Sequence, residues 1–215
     1  MTDNALPVRK HRARLLLLGA LTLAAIAGCT EVATLPAQSH MRPQPTLQSP
    51  FDRSLALQGV TFRVASANRG SINRLEITPS GLAVDNSPIV RDIDGTVSGA
   101  EVADLNADGS PELYVYVTSA GSGSYGSLVA YSANRRKSLS EIHMAPITDD
   151  AKASDGYMGH DQFAVVENTL ARRFPIYRAG DTNAAPTGGT RQLHYRLWPG
   201  EASWVLRLDR MTDIR

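Results

Sequence analysis

The feature that most constrains this chain is a period of two. In ELYVYVT, residues 112–118, Leu113, Val115 and Val117 fall on one side of an extended backbone, and Tyr114 and Tyr116 fall on the other. Successive side chains of a strand point to opposite faces, so the pattern predicts a strand with one buried face. SLVAYS, residues 127–132, alternates in the same way. Further on, Leu193, Tyr195 and Leu197 oppose Gln192, His194 and Arg196, and Trp204, Leu206 and Leu208 oppose Val205, Arg207 and Asp209. Pro199-Gly200 between those two runs is turn chemistry and predicts a C-terminal hairpin. A second hairpin is predicted at Glu167-Asn168, joining FAVV to LARRFPIY. Only ITDDAKASD, residues 147–155, reads as a short helical turn, and no long amphipathic stripe is present. The pattern therefore predicts an all-β fold: an antiparallel β-sandwich or barrel-like sheet with long loops and little helix.

The N-terminus does not belong to that fold. Arg9, Lys10, Arg12 and Arg14 form a basic front, an apolar run extends to Gly28, and small residues close it, which is the plan of a cleaved signal peptide. Its ending, Ile26-Ala27-Gly28-Cys29, resembles the lipobox of bacterial lipoproteins, in which the cysteine is acylated and becomes the first mature residue. The resemblance implies lipidation at Cys29 and membrane attachment through that lipid. Thr30 in the next position, where Asp is absent, resembles lipoproteins sent on to the outer membrane, here facing the periplasm. Cys29 is also the single cysteine of the chain, so no intramolecular disulfide is available and the fold must stand on its core. The expected organisation is a signal peptide over 1–28, a lipidated cysteine with a Pro/Gln-rich tether over 29–50, and one β domain over 51–215.

Without residues 1–28 the chain holds 18 Lys and Arg against 20 Asp and Glu. Phosphate contacts dominate nucleic-acid affinity, and a near-neutral exported domain without a basic stripe supplies few, which argues against a nucleic-acid partner.

Residues 121–126, GSGSYG, match the glycine pattern of a dinucleotide loop, yet the following SLVAYS is of strand type, and such a loop needs a helix N-terminus there. The nucleophile elbow of serine hydrolases needs glycines two residues on either side of the serine, and neither Ser122 nor Ser124 has both. His160 in GYMGHDQF has no nucleophile paired with it in the sequence, so an enzyme is not indicated. What remains is a narrow hairpin loop, residues 119–126, made of Ser, Ala and Gly with one Tyr. It is either a plain flexible tip or a finger that enters a cleft.

Ser122-Gly123-Ser124-Tyr125 matches the SGxY motif of bacterial envelope lysozyme inhibitors. Its setting, DLNADGSPELYVYVTSAGSGSYGSLVAYS followed by GYMGHDQFAVVE and RRFPIYRAGDTNAAPTGGTRQ, is similar to the periplasmic inhibitors of i-type (invertebrate) lysozyme. The resemblance runs from about residue 56 to the C-terminus. It implies an i-type lysozyme as partner, no catalytic residues, and an inhibitory loop in which Ser122 faces the lysozyme's catalytic acid and Tyr125 packs beside it. Gly121, Gly123 and Gly126 are expected to keep that loop thin and to supply positive φ. The sequence leaves open whether two copies of the chain pair.

Two further regions stand out. AAPTGGTR, residues 184–191, is a Gly-rich loop where Thr190 and Arg191 are candidates for a secondary contact, the alternative being a turn with a surface arginine. Asp104, Asn106, Asp108 and Glu112 place oxygen ligands at positions 1, 3, 5 and 9 of an acidic loop, with Gly109 at the turn. That spacing suits either an Asx-rich turn bonded to its own backbone or a structural calcium loop. Apart from such a calcium ion, no cofactor is expected. A calcium-stabilised envelope binding or adhesion module is thus the alternative function.

Overall fold

A computed structural model of the chain describes residues 49–215, so the leader, Cys29 and nearly all of the tether lie outside the described residues. The regular structure of the described chain is almost all strand: β1 (Phe51–Leu57), β2 (Val60–Ser66), β3 (Ile72–Ser80), β4 (Ile89–Asp94), β5 (Thr96–Ala103), β6 (Glu112–Thr118), β7 (Gly126–Asn134), β8 (Ser138–Glu141), β9 (His143–Met144), β10 (Gln162–Val166), β11 (Thr169–Pro175), β12 (Thr190–Pro199) and β13 (Trp204–Ile214). One 3₁₀ turn, Ile147–Asp149, opens the segment predicted to be helical.

Three sheets form, ordered β1-β2-β3-β4, β5-β6-β7-β8 and β10-β11-β12-β13-β9. All pairings are antiparallel except the short β13–β9 contact, Val205 with His143 and Leu206 with Met144. Local turn chemistry explains the hairpins. Gln58 and Gly59 both take positive φ between β1 and β2, as a two-residue turn of type I′ requires. Glu167 at φ 53° turns β10 into β11, and Gly200 N–H closes on Ser203 O at 2.7 Å between β12 and β13, so both predicted hairpins are present.

The core corrects one expectation. Leu113, Val115 and Val117 of β6, with Val129, Tyr131 and Ala133 of β7, pack against Phe62, Val64, Leu75 and Ile77 of the first sheet. The opposite face of β6, Tyr114 and Tyr116, packs with Leu170, Phe174, Leu193, Tyr195, Leu197 and Leu206 of the third sheet. The middle sheet is therefore buried on both faces, and residues 112–117 are all buried. Period two correctly sorted the side chains of β6 into two sets, but both sets meet a core. Tyrosines on the second face concealed this, because their rings bury as readily as valines while their hydroxyls read as polar.

Candidate functional site

The 119–126 segment is the loop of the β6–β7 hairpin, closed by the Thr118–Gly126 pair. Gly126 opens β7, so a strand follows the glycine pattern, as read from the sequence. The loop is held internally by Ser119 N–H donating to Tyr125 O at 2.9 Å, Tyr125 N–H to Ser119 Oγ at 2.9 Å, and Ser124 N–H to Gly121 O at 2.9 Å. Positive φ falls on Ser124 (44°), whereas Gly121, Gly123 and Gly126 avoid the left-handed region. The glycines serve space instead. A Cβ on Gly123 would stand 2.5 Å from the Tyr125 ring, and one on Gly126 would run into Asp161 and, at 2.8 Å, into Phe163.

Asp161 ends a second loop, residues 156–161, that braces the first. His160 N–H donates to Gly123 O at 2.7 Å. The approach is possible because Gly159 (φ +91°) has no side chain; a Cβ there would collide with the same carbonyl. Asn183, reaching in from the loop before β12, donates its Nδ2 to Ser122 O at 2.7 Å and accepts at Oδ1 from His160 Nε2 at 3.1 Å. His160 also stacks on Tyr177 at 6.4 Å, so its role is to brace the loop.

Beneath the loop lies a buried charge pair. Arg172 Nε donates to Asp161 Oδ1 at 2.7 Å, with the two side chains 6% and 0% exposed. The second Asp161 oxygen accepts from Gly126 N–H at 2.7 Å and from the Tyr157 hydroxyl at 2.6 Å, and Arg172 also donates to Tyr157 Oη at 2.8 Å. The guanidinium lies over the rings of Tyr157 and Phe163, 5.1 and 5.3 Å from their centres. Burial, aided by the bond to Asp161, holds the Tyr157 phenol well above its usual range, and it stays a proton donor. Burial works against the charge on Arg172, but the Asp161 carboxylate outweighs it and raises the guanidinium further. Both Asp161 oxygens, the Tyr157 hydroxyl and the Nε and Nη2 groups of Arg172 have partners within this cluster, which favours one geometry for the buried pair.

On this platform the functional candidates face outward. Ser122 is exposed while its carbonyl is anchored, and Tyr125 is 48% exposed, its ring edge-on to Tyr157 at 5.7 Å. Gly123 and Ser124 are half-buried. Tyr125 also forms one wall of a groove of about 380 Å³ lined by Leu128, Met144, Pro146, Tyr157 and Phe163. The loop is a fixed, uncharged projection beside an apolar groove.

Sequence reasoning missed Tyr157, Asp161, Arg172 and Asn183. One signal was present: Leu170, Arg172 and Phe174 share a face of β11, and a cation on an apolar face needs a buried partner. The Asp161 that supplies it sits in the GYMGHDQF segment already singled out for His160.

Arg191 is not a surface residue. It is 6% exposed, holds Asp213 through Nε at 2.8 Å and Nη2 at 2.9 Å, and donates Nη1 to the carbonyls of Lys152, Ala153 and Asp155. Its guanidinium is spent on stapling residues 152–155 to β13, while Thr190 beside it is half-buried at the start of β12. In the acidic loop, Asp104 and Asn106 are half-buried, Asp108 is exposed and Glu112 is fully buried at the start of β6, at the opposite end of that strand from Ser122. Cys29 falls outside the described residues.

No curated protein matches the chain. Residues 84–155, about a third of the chain, match the sequence profile of the family described as periplasmic lysozyme inhibitor of I-type lysozyme. The matched span contains the acidic loop, β6, the whole 119–126 loop and the 3₁₀ turn. Through those residues the chain is similar to the periplasmic inhibitors of I-type lysozyme, which bears out the resemblance drawn from its sequence.

Proposed function

We propose that this chain is an envelope inhibitor of I-type lysozyme that seats the Ser122–Tyr125 loop in the enzyme's active-site cleft. The family match supports the inhibitory role and a periplasmic setting. The observation that carries the loop assignment is the contrast between a fixed backbone and free side chains: Ser122 O, Gly123 O and Gly126 N–H are each held from outside the loop, and the Ser122 and Tyr125 side chains project outward. A loop already in its bound shape loses little conformational entropy on docking.

Glycosidases cleave with two carboxylates flanking the bond, one of them a protonated acid. A serine hydroxyl and a phenol can bond to such carboxylates as sugar hydroxyls do, and a peptide loop offers no glycosidic bond to break. The groove beside Tyr125 gives the enzyme's rim an apolar surface to cover.

The test is a lysis assay with the mature protein, an I-type lysozyme and peptidoglycan-bearing cells. Competitive inhibition, relieved by soluble oligosaccharide substrate, is the expected result; inhibition indifferent to such competition would place the contact outside the cleft. The same reading attaches the protein to the membrane through acylated Cys29, and a Cys29→Ser chain should appear in the soluble fraction and take up no labelled fatty acid.

A further inference from the structure

The residue that opens β6 is chemically out of place. Glu112 is 0% exposed in a strand covered on both faces. Its Oε2 accepts Leu105 N–H at 2.9 Å, but Oε1 has no hydrogen-bond partner. Nearby, the buried hydroxyls of Tyr114, two residues on, and Ser132, directly opposite Glu112 in the ladder, are also without partners. Leaving a carboxylate oxygen unmatched in such a setting costs more than most natural folds tolerate.

The Glu112 carboxylate is aimed at two others. Asp104, Asp108 and Glu112 each bring an oxygen within 4.8 Å of the other two. None of the ion pairs among the described residues involves any of the three. The loop is folded so that these oxygens converge. Asp104 Oδ1 and Oδ2 accept Asp108 N–H at 3.0 Å and Gly109 N–H at 2.9 Å, and Asp108 Oδ1 accepts Ser110 N–H at 2.8 Å. The Asn106 amide stands at the rim, its Nδ2 3.1 Å from Asp108.

We propose that Asp104, Asp108 and Glu112, with the Asn106 side-chain oxygen turned inward, form a calcium site that completes the fold at the start of β6. Two oxygens bound to one calcium ion lie at most about 5.2 Å apart, and the oxygens of these three carboxylates, all within 4.8 Å of one another, satisfy that limit. The donors are all hard oxygens with no His or Cys among them, and they come from a short, adaptable loop, which suits calcium better than zinc or a strictly octahedral magnesium ion. The ion supplies the missing partner for Glu112. It also ties the outer sheet to the middle one, because Gln58 of the β1–β2 turn donates to Asp104 Oδ2 at 2.7 Å.

The experiment strips the mature protein with EDTA and titrates calcium chloride by calorimetry, with melting followed in parallel. One ion per chain should bind with a dissociation constant of about 10⁻⁴–10⁻³ M, the range of extracellular calcium modules. Saturating calcium should raise the melting temperature by about 5 °C or more. Glu112→Gln should lose the response but sits in the core, so Asp108→Asn is the cleaner variant: exposed, it should leave metal-free melting unchanged and weaken calcium binding at least about tenfold, as loss of a charged ligand does. Absence of heat up to about 10 mM calcium together with identical melting in calcium and EDTA would overturn the proposal, as would unaltered binding by Asp108→Asn.

Discussion

Ser122 and Tyr125 stand out among the residues of their loop because their backbone is fixed by other segments while their side chains are not. Asn183 is the residue on which that division rests most narrowly, through one bond to Ser122 O. Asn183→Ala removes it at a half-buried site and should cost the fold about 1 kcal/mol or less, while inhibition weakens about fivefold to tenfold as the loop tip gains freedom. Inhibition constants and melting curves on one preparation check both halves, and unchanged inhibition would show that the tip needs no anchor. The serine and tyrosine of the proposed loop could be named from the sequence, because a short motif in a long Gly/Ser tip is local information. Asp161, Arg172 and Asn183 were not, since they come from three separate segments and acquire meaning only where the chain brings them together. Arg191 misled for a related reason. Arginines are mostly exposed, and nothing local shows that three carbonyls and Asp213 await this one.

At the scale of elements, turn chemistry located the β10–β11 and β12–β13 hairpins, and alternation located β6 and β7. The 3₁₀ turn and the cap that follows it, with Asp150 Oδ1 accepting Lys152 and Ala153 N–H, match the short helical segment expected there. The parallel β13–β9 contact was invisible, since β9 has two residues and no pattern of its own. The last strand shows how an element is secured from outside. The bidentate bond from Arg191 holds the Asp213 carboxyl below the usual carboxylate range. A carboxylate depressed in the folded state adds stability above its unfolded pKa and loses it as pH falls through the folded value. The staple of β13 to residues 152–155 should therefore weaken below about pH 4. Acid unfolding of Asp213→Asn should begin from a lower stability at neutral pH and fall less steeply between about pH 5 and 2; parallel profiles would refute the linkage.

For the whole molecule, the middle sheet is the decisive structure. It contributes Val115 to one core and Tyr114 to the other, so neither outer sheet can unfold without exposing part of it. The domain should melt in one transition, and Phe62→Ala in one core and Phe174→Ala in the other should each cost about 3–5 kcal/mol and lower that same transition. Two separated transitions in either variant would mean that the layers fold independently. The layered stack was only partly legible: the all-β class followed from period two, but a sheet with both faces covered and its tyrosines inside looks from sequence like a sheet with one. Under the proposed function, stiffness of this kind would hold the hairpin tip in one shape, since Arg172, Asp161 and Tyr157 link the core to Gly126 and the loop above it. The most direct measurement is the inhibition constant of a Ser122→Ala, Tyr125→Ala double variant against an I-type lysozyme, beside its melting temperature. The loop account predicts inhibition weakened by about a hundredfold or more with melting essentially unchanged, because both side chains project outward; a double variant that inhibits as well as the parent chain would contradict it.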